Sequence, residues 1–138
     1  MRFFIFPFKN IYIAVAADKV KRFISPDTAD NVQDNCTDPV KIQIYCAENM
    51  PHHGIVLKQE TGASSRYGDH KTIILITPPV ERDIDVAEKE IQSLPVSFTG
   101  IYASFNGIYF NEQKIIFFLD VEKLTALWLN KLEHERQV

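Results

Sequence analysis

The sequence predicts a mostly β protein of one domain, closed by a C-terminal helix, and three observations carry that prediction. Ten Phe and five Tyr stand among only 138 residues, and aromatic side chains suit the half-buried surface of a pleated sheet. Short apolar or alternating runs of strand length recur along the chain, separated by Pro, Gly, Asn and Asp. The last segment alone keeps a three- and four-residue apolar spacing over several turns. No regular strand–helix alternation occurs, which argues against a parallel α/β sheet.

Taken in order, Phe3–Phe8 reads as a dense aromatic strand and Ile11–Val15 as its hairpin partner across Lys9-Asn10. Val20, Phe23 and Ile24 fit one face of a short helix over Ala16–Ile24, stopped by Ser25-Pro26. Asp27–Asp38 is polar and reads as a loop. In Val40–Cys46 the residues Val40, Ile42, Ile44 and Cys46 alternate with Lys41, Gln43 and Tyr45, as in a strand with one buried face. Gly54–Lys58 is the next strand, Glu60–Asp69 a flexible loop, and Thr72–Thr77 an apolar strand ended by Pro78-Pro79. Asp85–Gln92 holds a turn of helix, and Phe98–Phe110 an interrupted strand or hairpin with Gly100 and Gly107. Lys114–Leu119 is a buried strand. Asp120 caps the closing helix, on which Val121, Leu124, Trp128 and Leu132 share a face. Residues 1–138 form one domain on this reading, divided into two strand-rich halves.

Composition narrows the function. The formal charge is −3, and no basic run exceeds Lys21-Arg22, so a nucleic-acid partner is not expected. Two cysteines, Cys36 and Cys46, make no disulfide framework and read as reduced thiols. The apolar start Met1–Phe8 faintly imitates a signal peptide, but Lys9-Asn10 leaves it shorter than the roughly 7–15 apolar residues of such a core. No run approaches the roughly 18 apolar residues of a membrane span. A cytoplasmic protein is expected.

Sites of chemistry are sparse. Cys36, Cys46, His52 and His53 suggest a metal, yet the two cysteines are too far apart for the paired spacing of a zinc site. Cys46 also falls in phase with the buried face of its strand. His70 follows Asp69 near Ser64-Ser65, but no Gly-x-Ser-x-Gly elbow is present and the loop has nothing to hold it rigid. No Gly-rich strand-to-helix turn offers a phosphate cradle. Glu81, Asp83 and Asp85 alternate as solvent-facing strand residues, and Trp128, Phe3, Phe6, Phe117 and Phe118 read as core. No catalytic, cofactor-binding or metal residue is assigned, and no cofactor is expected. The alternative is a small-ligand- or metal-binding β-barrel, hydrolytic in one version, working through His52/His53 and Asp69/His70. For a protein-binding module, Val20, Ile24, Val40, Ile42 and Ile44 are the candidate partner-binding residues, lining an exposed apolar groove, with sheet edges as docking sites.

One resemblance covers nearly the whole chain. Phe3-Phe4-Ile5-Phe6, a polar break, Ile11-Tyr12-Ile13-Ala14-Val15 and Asp18-Lys19-Val20-Lys21-Arg22-Phe23-Ile24 look like the opening of the CheW-like domain of bacterial chemotaxis coupling proteins. The likeness continues in Ile91-Gln92-Ser93-Leu94-Pro95, the turn at Asn111-Glu112-Gln113, Ile115-Ile116-Phe117-Phe118-Leu119-Asp120 and Val121-Glu122-Lys123-Leu124. The family's two Arg-Gly pairs have no counterpart; of its middle stretch only the apolar alternation in Val40–Tyr45 is kept. The resemblance implies two intertwined, five-stranded SH3-like β-barrel subdomains with a short helix in the N-terminal half and a C-terminal helix. It implies a non-enzymatic signalling adaptor linking the regulatory domain of a chemotaxis-type histidine kinase to a receptor or to another CheW-like domain.

Overall fold

The structure, a computed structural model, describes residues 1–24, 40–44, 53–58, 73–94 and 104–127, without the side chain of Val40. These residues carry the strands β1 (Arg2–Phe8), β2 (Ile11–Ala16), β3 (Val20–Ile24), β4 (Val40–Gln43), β5 (His53–Leu57), β6 (Ile73–Thr77), β7 (Arg82–Asp85), β8 (Gln92–Ser93), β9 (Phe105–Asn111) and β10 (Lys114–Leu119). A helix, α1, occupies residues 121–127. The chain divides into two compact units: Met1–Ala17 with Glu81–Val138, and Asp18–Val80 between them in sequence.

The first unit is built on a six-stranded sheet in the order β7-β1-β2-β10-β9-β8. Two tight hairpins make its centre. Phe8 pairs with Ile11, and Asn111 with Lys114, so each hairpin turns on two residues. Lys9 and Glu112 open those turns in the left-handed region, both at φ 55°, as two-residue hairpins require. β10 runs parallel to β2, with Phe117 beside Ile13, so both turns lie at the same end of the sheet. One sheet face carries a core of Phe3, Ile5, Ala14, Val86, Ile116 and Phe118. The rings of Phe3 and Phe118 meet edge to face, 4.7 Å between centroids. Phe6, Ile13 and Val15, on the opposite face, are also fully buried.

The expected C-terminal helix starts where Asp120 caps it. The Asp120 carboxylate accepts a hydrogen bond from the Lys123 amide at 3.1 Å, and Val121 and Leu124 turn inward. Trp128 and Leu132 lie outside the described residues.

The second unit holds a four-stranded sheet in the order β3-β5-β6-β4. β3, β5 and β6 are antiparallel neighbours, whereas β4 joins β6 in parallel. The run Ile73-Ile74-Leu75-Ile76 is apolar throughout because both faces of β6 are covered, with Ile74, Leu75 and Ile76 essentially inaccessible. At the end of β6 the buried Thr77 hydroxyl donates to the Pro78 carbonyl at 2.8 Å, which satisfies a group that would otherwise be costly to bury.

Two elements differ from expectation. Ala16–Ile24 is not a helix but a 3-10 turn at Ala17–Lys19 followed by β3. Val20 and Ile24 are both buried, as the helical spacing required. The bulge between Val20 and Arg22 sets Val20 opposite Leu57 and Ile24 opposite Gly54, on opposite faces of a sheet covered on both sides, and Val20, Phe23 and Ile24 are strand-favouring types. The division of strands among the described residues is six and four rather than five and five, because β7 and β8 both flank the first sheet. The loops Asp27–Asp38 and Glu60–Asp69 lie outside the described residues, as do Cys36, Cys46 and the start of the Phe98–Phe110 segment.

Candidate interaction surfaces

On the second unit, β3 ends the four-stranded sheet of the described residues. The register places Phe23, Ile55, Leu75 and Ile42 in one row across the four strands. Three of them are buried to 1% exposure or less, while Phe23, at the outer end, is 47% exposed. The alternate row runs Arg22, Val56, Ile74, Lys41, apolar at the centre with a cation at either edge. Cations on edge strands discourage uncontrolled strand pairing. Lys21, the bulged residue, and Lys58 are exposed beside them, and the Lys58 amide donates to the Lys19 carbonyl at 2.9 Å. Among the described residues no strand pairs with the outer side of β3.

The first unit has a parallel feature at the tip of its second hairpin. Phe110 and Ile115 are direct cross-strand neighbours and are 57% and 36% exposed. One step before the Ile116–Tyr12 pair, Ile115 stands alongside Ile11, which faces Phe8. A row from buried Phe8 thus ends in solvent at Phe110. On the other face of this tip the Lys114 ammonium sits 4.8 Å from the centroid of the Tyr12 ring and 3.9 Å from a Glu81 carboxylate oxygen. Scattered exposed apolar side chains are ordinary; two rows that each lead from the interior to an exposed Phe are a pattern.

The acidic residues around β7 have a structural occupation. Asp83 accepts a hydrogen bond from the Arg2 guanidinium at 2.7 Å, and Asp85 accepts one from the N-terminal ammonium at 3.0 Å. The Arg2 hydrogen bond, helped by one from the backbone of Asp83 and by the charge of Arg2, holds the Asp83 carboxyl below its usual pKa. These pairs fasten the edge strand β7 to the start of β1.

No family model and no curated protein sequence matches the chain. Among solved structures, it is similar to the scaffolding protein TtCheW from Thermoanaerobacter tengcongensis. The likeness covers 87% of this chain and 84% of that one, with a TM-score of 0.61 and 14% sequence identity. The chain has the CheW-like fold. Two strand-rich units, one inserted into the sequence of the other, are therefore a divergent version of that fold.

Within the CheW-like fold the residues named from sequence as partner-binding fall on β3 and at β4. Val20 and Ile24 are 9% exposed, and Ile42 and Ile44 are 1% exposed. Those four side chains build the sheet interior, and the side chain of Val40 lies outside the description. The periodicity that singled them out reports the buried face of a strand, whichever function the strand serves. What reaches solvent on β3 is Lys21, Arg22 and Phe23. The helical spacing groups Phe23 with the buried face, whereas the strand leaves it exposed. Phe110 and Ile115 were missed, because an apolar residue on a hairpin cannot be told from a core residue without its register. Of the residues behind the hydrolytic alternative, His53 opens β5, half-buried and paired with Thr77. His52, Asp69 and His70 lie outside the described residues. Among the described residues, no three of His, Cys, Asp and Glu gather as a metal site, and no helix is long and apolar enough to cross a membrane.

Proposed function

We propose that this protein is a cytoplasmic, non-enzymatic signalling adaptor that holds the regulatory domain of a chemotaxis-type histidine kinase beside a receptor or a further CheW-like domain. The likeness to a scaffolding protein along nearly the whole chain carries this reading. The exposed Phe23 and Phe110, one on each unit, support it, because an adaptor needs two separate surfaces and aromatic anchors dominate the energetics of such contacts. Edge strands supply the second requirement, backbone groups that a partner's strand can pair.

Calorimetric titration against the regulatory domain of the host's chemotaxis-type kinase tests the reading. Saturable binding in the micromolar range or tighter, about −8 kcal/mol or better, is expected. Absence of binding at high concentration of both proteins removes kinase coupling from the proposal.

A further inference from the structure

We draw no further inference here: the strongest candidate, the exposed apolar pair Phe110 and Ile115 at the tip of the β9–β10 hairpin, carries nothing, because nothing in the structure shows what covers it.

Discussion

Gly54 lies in the middle of the second unit, on β5, opposite Ile24 on one side and Ile76 on the other. A methyl group added there overlaps Ile24 Cγ1, approaches Ile24 Cδ1 to 2.5 Å and lies 3.3 Å from Ile74 Cγ2. Carbon atoms in a well-packed core sit about 3.5–4.0 Å apart, so Ile24 must retreat by about 1 Å. Ile74 is completely buried and gives no room, whereas Ile24, on the outer strand, is 9% exposed and can move. Overpacking of this kind costs about 1–3 kcal/mol. Replacing Gly by Ala in an extended segment returns roughly 0.5–1 kcal/mol through the unfolded chain. The Gly54→Ala variant is therefore expected to lose about 1–2 kcal/mol. In urea, with a slope of about 2 kcal/mol/M, the midpoint falls by about 0.5–1 M. A double-mutant cycle identifies the cause. Ile24→Ala opens the space that the new methyl needs, so the double variant should be at least about 1 kcal/mol more stable than additivity predicts. A Gly54→Ala midpoint equal to wild type, or an additive double variant, would refute the packing argument.

Three further outcomes are expected. Glu112→Gly relieves a left-handed residue that costs about 1–2 kcal/mol, offset by about 0.5–1 kcal/mol of glycine entropy; the midpoint of thermal unfolding should rise by a few degrees, and a fall would mean the Glu112 side chain holds the turn. Ile116→Val removes one methylene from a fully buried position and should cost about 1 kcal/mol in chemical denaturation; an unchanged stability would place Ile116 outside the core. Asp83 has a folded pKa below its ordinary value of 3.8, so its contribution is complete above that value and fades as pH falls through the lowered one. Asp83→Asn should therefore lower the melting temperature slightly near neutral pH, and the gap to wild type should close in acid. A gap that persists at the lowest pH would show that charge is not its origin.

Local structure was legible in the sequence wherever one residue's neighbours decide its conformation. The first hairpin follows from two aromatic runs around Lys9-Asn10, and the N-cap at Asp120 from an aspartate placed before an apolar stripe. The helix expected at Ala16–Ile24 failed for a physical reason. Val20 and Ile24 are four residues apart, so burial of both imitates one helical turn, but the bulge at Lys21 sets them on opposite faces of a sheet whose two faces are both covered. The two parallel pairings, β2 with β10 and β4 with β6, were not legible. They join segments distant along the chain, and no local pattern records such a choice.

The same distinction locates the functional information. An apolar row across a sheet asks for size and shape and accepts Ile, Leu or Val at most of its positions. That tolerance is why a chain with 14% identity to its structural neighbour keeps the fold over 87% of its length. The row Phe23–Ile55–Leu75–Ile42 illustrates where the tolerance ends. Ile55, Leu75 and Ile42 are explained by burial alone. Phe23, at the outer end of the row, is 47% exposed, and burial alone does not select its aromatic ring.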